Sequence, residues 1–176
     1  MSDTASSKER ILIVDDEEPS RELCRLALQQ SGRELVLCSN AGQALEQFGG
    51  GNFDLVVTDM VMPGLTGLEL LERLKAQASD TPVLLMSGKG SIPLAVKAMR
   101  LGAADFIEKP LIDPEVLALA VRRALRARHL EEENRSLREA VGQRYEYDNI
   151  VARSGKMQAV LSLVERVAPT NATVLL

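Results

Sequence analysis

Between residues 10 and 112, short unbroken apolar runs alternate with longer stretches in which apolar residues recur every three or four positions. The short runs are of strand length and continuous rather than alternating, as in strands of a parallel sheet covered on both faces. They predict strands over 10–15, 34–38, 53–59, 82–86 and 104–108. The periodic stretches predict helices between them. The first, over 19–31, carries Leu23, Leu26 and Ala27 and closes near Gly32; the second opens at Asn40 and ends at Gly49-Gly50-Gly51. The third starts with a capping-box signature, Thr66 with Glu69 three residues on, and shows an apolar face of Leu68, Leu71 and Leu74. The fourth runs from about Ser91 to Leu101 and is stopped by Gly102. Five strand–helix alternations imply an α/β, doubly wound, five-stranded parallel sheet with right-handed crossovers and helices on both faces.

Beyond residue 112 the pattern changes. Asp113-Pro114 reads as an N-cap followed by Pro at the first helical position, and neither Pro nor Gly recurs until Gly142. The helix so defined is about 28 residues long, roughly 42 Å. Along it Ala127, Leu130, Asn134, Leu137 and Val141 alternate spacings of three and four, the seam of a coiled coil with a polar Asn at an a position. In that register Arg126 and Glu133 occupy g positions and Glu131 and Arg138 occupy e. A parallel dimer then pairs Arg126 with Glu131 and Glu133 with Arg138, both of opposite sign. A homodimer is therefore expected. After a polar linker, Ser154 is expected to cap a helix over 156–167, Pro169 to end it, and Thr173-Val-Leu-Leu to form a strand.

Composition narrows the function classes. The 176 residues are 45% hydrophobic and 26% charged with a net charge of −4, ordinary values for a globular chain. No apolar run approaches a membrane span, and Met1 to Arg10 lacks the apolar core of a signal peptide, so a cytoplasmic location without membrane association is expected. The mild acidity, with no basic cluster among aromatics, argues against a nucleic-acid surface in this chain. Cys24 and Cys38 fall in predicted helix and strand with no metal-ligand spacing and read as buried free thiols. His129 lies among Arg and Glu on the long helix and reads as solvated.

The candidate chemistry lies at the strand ends. An open α/β sheet binds its ligands just past the carboxyl ends of its strands. There this chain places Asp15-Asp16, Asp59, Ser87-Gly88 and Lys109-Pro110. An isolated Asp in such a place commonly only caps a loop. Acids, hydroxyl and lysine together make a phosphoryl-transfer inventory, with oxygen ligands for Mg²⁺ and donors for phosphoryl oxygens.

Through Val14-Asp15-Asp16, Asp59 with Met62-Pro63-Gly64, Ser87-Gly88 and Lys109-Pro110, the chain closely resembles the receiver domain of bacterial response regulators. The resemblance implies strand order 2-1-3-4-5, which sets Asp15, Asp16 and Asp59 at the switch point between strands one and three. It implies Asp59 as phosphoacceptor from a partner sensor histidine kinase or a small donor such as acetyl phosphate. Mg²⁺ would be held by Asp16, Asp59 and the backbone carbonyl of Val61, with Asp15 acting through water. Lys109 would pair with the phosphoryl group, Ser87 would move to hydrogen-bond it, and Phe106 would be the switch aromatic. Val61 and Lys89 stand where the family tunes dephosphorylation. The alternative is an Mg²⁺-dependent aspartyl-nucleophile phosphatase of the haloacid dehalogenase type. That class needs a second Asp two residues after the nucleophile, where this chain has Val61.

Tyr147 to Val160 resembles the opening of the AAA+ ATPase domain of sigma-54-dependent activators. Gly155-Lys156 is not a phosphate-binding loop, because Met157 stands where Ser or Thr is required and Ile150 where the first Gly belongs. The expected organisation is a receiver over 8–112, a coiled-coil linker helix over 113–142 and the start of an AAA+ domain over 143–176. The parent implied is a transcription activator using ATP, sigma-54 RNA polymerase and DNA, of which this chain is the regulatory part.

Overall fold

The computed structural model describes residues 8–29, 33–77, 80–88, 92–144 and 154–167. The chain divides into two units, Met1–Glu132 and Glu133–Leu176. The first contains β1 (Glu9–Val14), α1 (Glu18–Leu28), β2 (Arg33–Cys38), α2 (Ala41–Gly50), β3 (Leu55–Asp59), α3 (Gly67–Ala76), β4 (Val83–Gly88), α4 (Ile92–Arg100), β5 (Asp105–Lys109) and the part of α5 (Pro114–Arg144) up to Glu132. All strand pairs are parallel and the order is β2-β1-β3-β4-β5, as the alternation and the resemblance implied.

Successive strand residues point to opposite faces, and the sheet therefore carries two cores. Leu12, Val14, Val56 and Leu85 pack with Ala41, Ala44, Leu70, Leu71, Leu74 and Ala98 from α2, α3 and α4. Ile11, Ile13, Val57, Leu84 and Met86 pack on the other face with Cys24 and Leu28 of α1 and Leu117, Val121 and Ala124 of α5. Each of these side chains is less than a tenth exposed. Asn40 accepts from the Gln43 N–H to open α2, and Thr66 and Glu69 form the expected capping box on α3.

Two expectations are corrected. The first helix ends at Leu28 rather than running to residue 31, and of its apolar residues Cys24 and Leu28 are buried while Leu23 and Leu26 are 36% and 58% exposed. The cause of that burial is the helix's rotation, since Ser20 is turned to the carboxylate of Asp15, and residues four and eight further on then face the sheet. Helix α5 does not stop at Gly142 but continues to Arg144. One glycine costs a helix about 1 kcal/mol and need not end it. Both cysteines are buried and His129 is exposed, as expected. Among the described residues no helix is long and apolar enough to cross a membrane.

The second unit contains α5 from Glu133 onward and α6 (Gly155–Val167). The Ser154 hydroxyl accepts from the Met157 N–H at 3.3 Å and caps α6, as predicted. Ala127, Leu130, Asn134 and Leu137 are exposed along α5, with Leu130 54% and Leu137 58% accessible. The side chain of Val141, residues 147–153 and the expected strand over 173–176 lie outside the described residues.

Candidate functional site

The site lies at the carboxyl ends of β1 and β3, between which the strand order reverses, and Lys109 reaches it from the end of β5. Asp15 follows β1, tied to β2 by its N–H donating to the Cys38 carbonyl at 3.1 Å. Asp59 ends β3, and the next peptide is fixed to β4 by the Met60 N–H donating to the Met86 carbonyl at 2.7 Å. Met60 and Met62 are buried in the core, and Gly64, with φ of +82°, turns the chain toward α3 in a conformation that favours glycine. Lys109 ends β5 and is joined to Pro110 by a cis peptide bond.

Asp15, Asp16 and Asp59 each bring a carboxylate oxygen within 4.8 Å of the others. Asp15 is fully buried, Asp59 is 6% exposed, and Asp16 is open to solvent. The Lys109 ammonium bridges the two buried acids, 2.6 Å from Asp15 Oδ2 and 2.8 Å from Asp59 Oδ1. The other oxygen of Asp59 accepts from the Val61 N–H at 3.1 Å. Burial pushes the Asp59 carboxyl above its ordinary range; Lys109 opposes the shift without cancelling it, and Asp15 adds to it. Burial alone would lower the Lys109 amine, but its hydrogen bonds to Asp15 and Asp59 and their charges outweigh that and hold it above the usual lysine value. Three oxygen donors, one of them exposed, suit a hard divalent cation that keeps part of its water shell, and the donor set therefore fits Mg²⁺.

The other predicted residues are nearby in the fold but differently engaged. Ser87, 2% exposed, follows Met86, the register partner of Asp59, and its hydroxyl donates to the Gly88 carbonyl at 3.3 Å. Phe106 is half-buried against the core that includes its register partner Leu85. The Val61 side chain is 67% exposed, and Lys89 lies outside the described residues.

Four contributors had no legible signal in the sequence. The Ser20 hydroxyl donates to Asp15 Oδ2 at 2.6 Å, the Glu17 N–H donates to Asp15 Oδ1 at 2.9 Å, and Arg21 Nη1 donates to the Asp15 carbonyl. Gly67, the first residue of α3, lies so close to the acceptor that an added Cβ would stand 2.0 Å from the Asp59 carbonyl oxygen. A groove of about 570 Å³ opens beside Lys109, lined by Pro19, Leu23, Cys24, Met86 and Leu111. Burial pushes the Cys24 thiol up to about 11, and the thiol is therefore not a nucleophile at neutral pH.

A doubly wound parallel sheet with a lysine-bridged acid cluster at the carboxyl ends of its strands defines a class of α/β domains that meet their ligands at that edge. Residues 11–122 match the response regulator receiver domain, and the chain belongs to that family. It is thus a receiver of two-component response regulators, a regulatory domain and not a catalytic enzyme, and the comparisons favour this over the phosphatase. The C4-dicarboxylate transport transcriptional regulatory protein DctD of Pseudomonas aeruginosa is 40% identical over 167 residues, 94% of this chain and 36% of that protein. The transcriptional regulatory protein FixJ of Bradyrhizobium diazoefficiens is 43% identical over 122 residues, 68% of this chain and 60% of its own length. Among solved structures, NtrX from Brucella abortus in complex with ADP matches with a TM-score of 0.69 and 38% identity, over 93% of this chain and 35% of that one. The chain thus spans about a third of the length of DctD and of NtrX. Membership of this family implies a histidine kinase partner and Mg²⁺ at the acidic pocket.

Proposed function

We propose that Asp59 accepts a phosphoryl group and that the chain is the regulatory part of a sigma-54-dependent transcription activator. The observation that carries the first half is the Lys109 ammonium bridging Asp15 and Asp59 at the switch point. The carboxylate of Asp59 attacks phosphorus in line. An oxygen–phosphorus bond forms as the donor's phosphorus–nitrogen bond to imidazole, or phosphorus–oxygen bond to acetate, breaks. The electron pair leaves with the donor. Asp16, Asp59 and the Val61 carbonyl would hold Mg²⁺, with Asp15 acting through water, and the ion when bound would neutralise the crowded oxygens. Lys109 exchanges part of its carboxylate pairing for the phosphoryl oxygens, Ser87 turns from the Gly88 carbonyl to meet them, and Phe106 rotates inward beside Leu85. Val61 and Lys89 govern how readily water reaches the phosphorus.

The second half rests on the order of segments: a receiver over 8–112, a linker helix over 113–142 and an AAA+ beginning over 143–176. Relatives that cover nearly the whole chain are about three times its length, and one of them holds ADP. In the parent, ATP, sigma-54 RNA polymerase and DNA would be engaged by domains that follow. The linker seam makes the chain a parallel homodimer whose receivers respond to the charge on Asp59.

Acetyl phosphate with Mg²⁺ should label the wild-type chain at Asp59 alone, as read by mass spectrometry of its peptides, and beryllofluoride should occupy the same place. Asp59→Asn should take no label. Full labelling of that variant would refute the assignment.

A further inference from the structure

Asp15 is the most enclosed of the three acids, and its partners are defined on both oxygens. Oδ2 accepts from the Lys109 ammonium and from the Ser20 hydroxyl, each at 2.6 Å, and Oδ1 accepts from the Glu17 N–H at 2.9 Å. A carboxylate offers about four acceptor positions, two on each oxygen. Oδ2 is therefore filled, and Oδ1 keeps one position for water or a cation. Lys109 is shared with Asp59 and is the group that a phosphoryl anion on Asp59 draws away. Asp15 is fully buried, and a buried carboxylate that loses its charged donor is destabilised unless another donor remains. Among the described residues, the other side chain that donates to this carboxylate is Ser20.

We propose that Ser20 is a positioning residue, whose hydroxyl holds Asp15 Oδ2 in place while Lys109 changes partner from Asp15 to the phosphoryl group on Asp59. The inference rests on the phosphoacceptor reading of Asp59 and extends it to α1. The helix is suited to the task. Ser20 lies in its first turn, half-buried, on the same line as the buried Cys24 and Leu28, and Arg21 beside it donates to the Asp15 main-chain carbonyl. The short side chain on a packed helix thus presents one donor at a fixed place. Without it Lys109 is, among the described residues, the only side chain left to orient Asp15, and leaving becomes harder for Lys109.

The test uses the full chain as wild type, Ser20→Ala and Ser20→Thr. Mg²⁺ binding is measured by calorimetry, and phosphorylation by acetyl phosphate is followed by mass spectrometry at saturating Mg²⁺. Ser20→Ala should weaken Mg²⁺ binding and slow phosphorylation on the order of tenfold, while Ser20→Thr, which keeps the hydroxyl, stays within about twofold of wild type. Unfolding in metal-free buffer should stay cooperative in both, with Ser20→Ala shifted by no more than the loss of one hydrogen bond to a buried carboxylate, so that the rates are read on folded protein. Ser20→Ala behaving as wild type in both measurements overturns the proposal, and so does a Thr variant as impaired as the Ala variant. If wild type itself takes no label on Asp59, the phosphoacceptor reading falls and the proposal with it. A failure of the Ser20 role alone leaves Asp59 fully labelled at equal rates in all three chains.

Discussion

At the scale of single residues, the site is built from close approach as much as from charge. Gly67 illustrates this: its N–H donates to the Met60 carbonyl at 3.0 Å, and a methyl group in place of its hydrogen would stand 2.0 Å from the Asp59 carbonyl oxygen. That obstacle is backbone, and either α3 or the acceptor strand must shift to relieve it. Gly67→Ala is expected to destabilise the fold by on the order of 3 kcal/mol, more than the small gain alanine brings to a helix. Denaturant unfolding checks this, with Gly49→Ala as control, because an added Cβ there meets nothing within 4 Å. Equal stability of the two variants would show that α3 can slide. The acid cluster follows the same economy. The Lys109 ammonium is shared between two buried carboxylates and offsets one of their two charges, which lessens the repulsion among the three acids.

At the scale of elements, α5 is held at the opposite end of β3 from the acceptor. Arg128 Nη1 donates to the Phe53 carbonyl at 3.0 Å and pairs with Asp54 at 3.1 Å, while its Nε pairs with Glu132 at 2.8 Å. The Thr81 hydroxyl and the Arg10 N–H reinforce the same corner through the Phe53 carbonyl and the Asp54 carboxylate. Arg128 adjoins Ala127 of the seam but sits off its line, and the fork therefore sets the rotation of the helix that leaves Ala127 and Leu130 outward. Removing the guanidinium by Arg128→Ala should cost about 1 kcal/mol, discounted for partial exposure of the pair, and Arg128→Lys should not restore it because a compact ammonium cannot reproduce the planar fork that spans the Phe53 carbonyl, Asp54 and Glu132. A double-mutant cycle with Asp54→Ala, read by denaturant unfolding, measures the coupling. A coupling of zero would reduce the contact to a surface incident.

At the scale of the whole molecule, the question is how one receiver meets another. Leu130 and Leu137 are more than half exposed on α5, an uncommon expense of apolar surface for an unpartnered helix. The proposed parallel coil covers them and places both receivers at the same end. Leu130→Glu/Leu137→Glu should convert the chain to monomer in sedimentation, with and without beryllofluoride, while leaving acetyl phosphate labelling of Asp59 intact. A double variant as dimeric as wild type would move the dimer contact elsewhere. Phosphorylation then acts by favouring one packing of the receivers over another, for which a few kcal/mol of differential contact suffice.

Much of this protein is legible in its sequence because periodicity and strand-end chemistry are local. The strand–helix alternation, the capping box at Thr66 and Glu69, the buried cysteines and the acids after β1 and β3 follow from neighbours a few positions apart. The inner face of α1 was not legible, because Leu23, Cys24 and Leu26 are all apolar and only the docking of Ser20 on Asp15 selects the line that goes inward. Nor could Gly142 show that α5 passes through it to Arg144. Gly67 and Arg128 act on chain segments 8 and 75 residues away, Asp59 and Phe53, and contacts of that kind leave no spacing rule to read. The sequence by itself determined which groups stand at the strand ends; only the tertiary structure decided that Lys109 bridges Asp15 and Asp59 and that Ser20 shares the load, because those contacts form when strands distant in the chain are brought side by side by the packing of both sheet faces.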